Sequence, residues 1–185
     1  IALSLVGSEM CIRDRGFFPG SSLGNFTQEE AVRLLRRFRL LLDGGPLLLG
    51  LDQPKSQTRL EAAYDDAAGI SAAFARNLLQ RLNRDLSADF QPQRFSYQAQ
   101  WQAAHSRVQM VLVSDCEQTV SIGSSSWRFA AGEPLVTEYS VKYSPEMACD
   151  LAEAAGWRWC RRWHDPADDL SPVSYTHLRA HETKR

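Results

Sequence analysis

Two short segments carry side chains whose types and spacing could handle a small polar ligand. The first is Pro19-Gly-Ser-Ser-Leu-Gly-Asn25. Its glycines, Gly20 among them, allow close backbone approach, and Ser21, Ser22 and Asn25 supply donors and acceptors. It is neither a Walker A loop nor GxGxxG, so phosphate cradling is not indicated. A plain structural turn has the same composition. The second is Glu138 with Ser140, two apart on an extended segment and therefore on one face. A carboxylate beside a hydroxyl can recognise an N–H ligand edge, because the acid accepts and the hydroxyl donates or accepts. A solvated strand face meets the same spacing. Tyr64-Asp65-Asp66 could also bind a polar ligand. Adjacent acids diverge on a helix, however, so a paired-carboxylate acid/base device is not expected there.

Other chemistries find less support. Cys11, Cys116, Cys149 and Cys160 are far apart and include no CxxC pair, which argues against a zinc site or a disulfide framework. His105, His164, His177 and His181 form no HExxH-like arrangement. Asn25-Phe26-Thr27 matches a glycosylation sequon, but no convincing signal peptide accompanies it. The 21 basic and 22 acidic residues nearly cancel, which argues against a nucleic-acid groove or a charge-held membrane protein. A hydrophobic share of 44% and a charged share of 23% are globular values in a chain of 185 residues. No apolar run approaches the ~20 residues needed to cross a bilayer. The expectation is a soluble, cytoplasmic chain.

The elements that must position these residues follow from pattern. Gly16–Asn25 reads as an aromatic strand end and a glycine-rich loop. Thr27 and Glu30 then have capping-box spacing. Leu34, Leu35, Phe38, Leu41 and Leu42 recur at helical spacing until Asp43-Gly-Gly-Pro46 stops the helix. Residues 47–52 suit a strand buried on both faces, completing a βαβ unit. From Lys55 the pattern changes. Residues 60–86 read as helix interrupted near Gly69, and 95–100, 107–114, 118–122 and 127–131 as strands, the last two joined as a hairpin through Gly123. Residues 135–143 return the chain, Ser144 and Pro145 open a helix, and Gly156 ends it. Residues 157–165 alternate, with Trp157, Trp159 and Trp163 on one face expected in the core.

The ends do not share this patterning. Residues 1–15 and 172–185 resemble translated sequencing-adapter read-through, and the expectation is that both flanks are non-native and pack poorly.

Three segments together resemble the histidine-specific Nα-methyltransferases of ergothioneine biosynthesis. They are Phe17-Phe-Pro-Gly-Ser-Ser-Leu-Gly-Asn-Phe26, Leu60-Glu-Ala-Ala-Tyr-Asp-Asp-Ala-Ala-Gly-Ile70 and Thr137-Glu-Tyr-Ser-Val-Lys-Tyr143, with Ala154-Ala-Gly-Trp157 and Trp163-His-Asp-Pro166 closing the match. The resemblance spans about residues 16–171 and keeps the family's order. It implies an α/β fold: a partial Rossmann-like methyltransferase sheet with an inserted α+β substrate-binding lobe. The implied division is 16–54 and 137–171 for the methyltransferase domain and 55–136 for the lobe. It also implies trimethylation of the L-histidine α-amino group by S-adenosyl-L-methionine, without a metal. By the resemblance, Asn25 and Tyr64 hold the amino-acid end, Gly20 and Ser22 shape the same pocket, and Glu138 and Ser140 bind the imidazole nitrogens. No residue is implied as a covalent catalyst or as a cofactor ligand. The family's cofactor fingerprint belongs before Gly16 and its last strand after Asp165, so this stretch alone is expected to be inactive. Two alternatives differ in substrate or class: a related N-methyltransferase acting on another amino acid or aromatic amine, and a noncatalytic ligand-binding module.

Overall fold

Thr27 closes a capping box: its side chain accepts from the Glu30 amide, and Glu30 returns a bond to the Thr27 amide at 2.9 Å. The helix it starts, α1 (Gln28–Leu41), links β1 (Gly16–Phe18) to β2 (Leu47–Asp52). The two strands pair in parallel, Gly16 opposite Leu47 and Phe18 opposite Leu49. This is the βαβ unit that the pattern predicts. The computed structural model describes residues 15–43, 45–163 and 170–177, the last as backbone alone. Residues 1–14, the family-like His-Asp-Pro at 164–166 and residues 178–185 lie outside the described ones.

The chain divides into two units, Ile1–Pro54 with Val141–Arg185 and Lys55–Ser140. The first is an α/β unit. After Val141, helix α4 (Pro145–Ala154) begins at a Ser144 cap and strand β8 (Trp157–Arg162) follows. The sheet order is β1-β2-β9-β8, where β9 is Leu170–His177. β9 runs antiparallel to both neighbours, Val173 opposite Leu49 and Tyr175 opposite Trp159. Residues 172–177, which the sequence reading sets apart from the sheet, thus lie within it as strand backbone. Val173, Tyr175 and Thr176 favour extended structure, and β2 and β8 each need a partner for their backbone groups. The core of this unit packs Leu23, Leu35, Phe38, Leu49, Leu151 and Trp157. Trp157 is fully buried and its indole N–H donates to the Leu35 carbonyl at 2.9 Å. The expectation for the three tryptophans needs correction, because Trp163 is 39% exposed. A register shift between Trp159 and Arg161 breaks the alternation, and Trp163 lies past the end of β8 with Arg161 over its ring.

The second unit is α+β. Helices α2 (Gln57–Tyr64) and α3 (Ile70–Leu86) precede β3 (Phe95–Gln102) and β4 (Arg107–Ser114), which pair antiparallel. Strands β5 (Gln118–Ile122) and β6 (Ser125–Phe129) form a separate hairpin, its two-residue loop opening on Gly123 at φ 57°. Strand β7 (Pro134–Val141) joins β4 in a three-stranded sheet. One continuous strand reaches position 141, so the unit boundary falls at 140/141 and not at 136/137. Glu138 and Ser140 therefore belong to the inserted unit. Phe90, Phe95 and Phe129 cluster in its core, the last two edge-on with ring centroids 5.6 Å apart.

Candidate functional site

In the α/β unit the site-bearing loop is fixed from two sides. Gly20 and Ser21 adopt left-handed backbone, φ 79° and 57°, which turns the chain sharply off β1. The Ser21 hydroxyl then accepts from the Asp52 amide at the end of β2, at 2.8 Å. Leu23 is fully buried and pins a short 3₁₀ turn, Ser22–Asn25. Gly24 lies flat against Val141, where a Cβ would stand 2.7 Å from the carbonyl oxygen. Ser22 and Asn25 are left at the exposed surface of this turn, just before the Thr27 cap.

The same edge of the sheet holds a buried charge. Lys142 has no exposed side-chain surface, and its Nζ lies 2.7 Å from Asp52 Oδ2. Asp52 Oδ1 accepts from the Gln53 amide at 2.9 Å, and the Asp52 carbonyl accepts from the Tyr143 amide at 2.8 Å. Asp52 thereby ties together β2, the Ser21 loop and the segment after β7. Open α/β sheets bind ligands at this carboxyl edge.

In the inserted unit a cavity of about 480 Å³ lies between α3 and the sheet. Tyr64, Tyr97, Met110 and Glu138 line it, with Ile70 and Phe74 from α3. Tyr64 ends α2, and its hydroxyl lies 2.8 Å from Ser140 Oγ, with either group able to donate. Ser140 is buried and Glu138 is half-buried. The Tyr97 hydroxyl donates to the Tyr64 carbonyl at 2.7 Å. Burial first, then the carboxylates of Asp65, Glu138 and Asp66, push its pKa up to about 12. Tyr97 therefore keeps its proton at neutral pH. Asp65 and Asp66 sit in the turn between the helices, not on a helix. Asp66 caps α3, accepting from the Ile70 and Ser71 amides at 2.9 and 2.7 Å. A bond from the Ser71 side chain first, then these amide bonds, hold its carboxyl down at about 2.

Within each unit, then, the expected residues gather: Gly20, Ser22 and Asn25 on one loop, and Tyr64 and Glu138 at one cavity, with Ser140 bonded to Tyr64. Tyr97 and Met110 escaped the sequence reading, since strand alternation marks a face and not the neighbour it meets. Ile70, Phe74 and Leu78 have core-like helical spacing, yet are 71%, 74% and 41% exposed. Among the described residues, no three His, Cys, Asp or Glu side chains gather as a metal set, and no helix is long and apolar enough to span a membrane.

A family model described as histidine-specific, S-adenosylmethionine-dependent methyltransferase matches residues 8–177. A histidine N-alpha-methyltransferase of Mycolicibacterium smegmatis is 43% identical over 157 residues, 83% of this chain and 49% of that protein. Its namesake from Mycobacterium tuberculosis is 39% identical over 156 residues, with the same two shares. Ergothioneine biosynthesis protein 1 of Schizosaccharomyces pombe is 24% identical over 159 residues, 85% of this chain and 21% of that protein. The chain spans about half the length of the two mycobacterial relatives.

Proposed function

The chain belongs to the histidine-specific, S-adenosylmethionine-dependent methyltransferase family, and we propose that the intact protein trimethylates the α-amino group of L-histidine, giving hercynine for ergothioneine biosynthesis. The observation that carries this reading is the hydroxyl pair of Tyr64 and Ser140 in the unit whose cavity Glu138 lines. An imidazole ring presents one N–H and one acceptor nitrogen. Glu138 accepts from the first, and the Ser140 hydroxyl, held by the Tyr64 hydroxyl at 2.8 Å, serves the second. An indole offers an N–H and no ring acceptor, so it would leave a buried donor unanswered. Asn25 and Tyr64 hold the amino-acid end, and Gly20 and Ser22 give it room. Holding the amine in place is the main contribution expected of the protein, since near-attack positioning lowers the barrier to displacement. A cytoplasmic location fits the free thiols of Cys116 and Cys149, which persist in a reducing compartment.

The family's cofactor supplies the methyl group from its sulfonium. The described residues at the carboxyl edge of β1 and β2 do not form a cradle for it. Asp52 is committed to Lys142 and Ser21 to the Asp52 amide.

The test is steady-state kinetics of the intact protein with L-histidine and with a tryptophan-type amine. In Glu138→Ala an imidazole N–H loses its acceptor, a cost of ~1–3 kcal/mol, or about 5- to 150-fold in KM. Turnover changes less, because the ring contact is the same in ground and transition states. Asn25→Ala lowers kcat as well, since it misplaces the reacting amine. Unchanged histidine kinetics in Glu138→Ala, or a wild-type preference for the indole amine, would refute the assignment.

A further inference from the structure

We propose that Tyr97 is a positioning residue for the bound histidine ring, acting through Tyr64; the inference rests on the function proposed above. Tyr64 is the last residue of α2, so its carbonyl has no partner within the helix. The Tyr97 hydroxyl supplies one, at 2.7 Å. From that anchored backbone the Tyr64 side chain reaches the Ser140 hydroxyl at 2.8 Å. Three side chains thus form a relay of fixed positions: Tyr97 holds the Tyr64 main chain, and Tyr64 holds Ser140.

Tyr97 is well placed for this task. It pairs with Leu112 across the β3–β4 ladder, between the buried Phe95 and Ala99 of its own strand. The strand is therefore the rigid member, and the end of α2 is what it fixes. Tyr97 also lines the same cavity as Tyr64 and Glu138, so its ring forms part of the wall that a ligand meets. Burial first, and then the carboxylates of Asp65, Glu138 and Asp66, oppose loss of its proton. The donor to Tyr64 is consequently present throughout the neutral range. Without that bond, the end of α2 would lose a tie to β3. The Tyr64 hydroxyl would then sample several positions, and a ring nitrogen would meet a less ordered Ser140 hydroxyl.

Tyr97→Phe removes the hydroxyl and keeps the ring. In the intact methyltransferase, KM for histidine should rise about 2- to 12-fold, the effect of one neutral hydrogen bond, while kcat changes less. A merely structural role would lower the amount of folded enzyme, and so the maximal rate, without moving KM. A second measurement uses ring-labelled tyrosine in NMR spectra of the intact protein. There the Tyr64 ring resonances should shift in Tyr97→Phe, as they should in Ser140→Ala. An unchanged KM would overturn the proposal, whether or not the Tyr64 resonances move. Unmoved Tyr64 resonances would overturn it too. If the wild-type intact protein does not methylate histidine, the proposed function falls, and the hold of Tyr97 on Tyr64 is decided by the ring resonances alone.

Discussion

The buried pair of Lys142 and Asp52 yields the sharpest prediction about how the loop carrying Asn25 is held. Lys142 is completely enclosed, whereas the Asp52 side chain keeps 16% of its surface exposed. Removing one member of a buried pair strands the other, at a cost of ~3–5 kcal/mol. The two single variants should not be equal. Asp52→Leu leaves an ammonium with no access to water and belongs at the upper end of that range. Lys142→Met leaves a carboxylate with some exposure and with the Gln53 amide still bound to Oδ1, so it belongs at the lower end. Removing both together leaves no stranded charge, and apolar replacements of such pairs are often neutral or stabilising. The double variant should therefore recover most of the stability lost in either single one. Urea unfolding followed by tryptophan fluorescence reads this directly, with Trp157 in the same core as Leu49 and Leu151. For a slope of ~1–3 kcal/mol per molar urea, a loss of ~3 kcal/mol moves the midpoint by ~1–3 M. A double variant whose loss equals the sum of the two single losses would refute the reasoning, because the charges would then be independent. The Asp52 amide bond to Ser21 is a main-chain feature, so it survives these substitutions only if the end of β2 keeps its place.

Two further perturbations test local features. The Asp66 carboxyl is held at about 2, chiefly by bonds from Ser71 and then from Ile70, below its ordinary value of 3.8. A lowered folded-state value means that the stabilisation is fully present above about pH 4 and is lost as the pH falls toward 2. Thermal midpoints measured from pH 5 to pH 2 should fall less steeply in Asp66→Asn than in the wild type, and equal slopes would contradict the capping role. Gly24→Ala drives a Cβ against the Val141 main chain, 2.7 Å from its oxygen and 3.1 Å from its nitrogen, neither of which can swing away. Overpacking of this kind costs ~1–3 kcal/mol, and an unaltered urea midpoint would show that the loop is not wedged as described.

What was legible in the chain was mostly local. Thr27 with Glu30, and Ser144 with Pro145, are signals in which the cap and its partner lie three residues apart, so spacing alone locates them. The hairpin through Gly123 is local in the same sense, although β6 runs 125–129 and not 127–131. The βαβ unit follows from a change of period, from alternation to helix and back. Features set by pairing between distant segments were not legible. Nothing in residues 170–177 announces a place between β2 and β8, and only the pairing of β7 with β4 moves the unit boundary to 140/141. The bulge after Trp159 is another such case, since it turns a face predicted to be buried toward solvent at Trp163. Asp65 and Asp66 looked like a helical acidic pair because the end of α2 at Tyr64 leaves little trace in the residue types.

The site itself shows why residue identity and residue partnership are different kinds of information. Tyr64 and Ser140 could be singled out separately, from a resemblance that marks each as a ligand contact. They lie 76 positions apart, and the structure makes them partners of one another. Tyr97, 33 positions from Tyr64, belongs to the same group through a main-chain carbonyl that no side-chain pattern encodes. Side chains joined in this way do not contribute independent increments, because removing one changes the geometry and the satisfied bonds of the next. Under the proposed function, the recognising group in residues 55–140 is therefore the connected set of Tyr97, Tyr64 and Ser140 beside Glu138, and its test must treat the three as coupled.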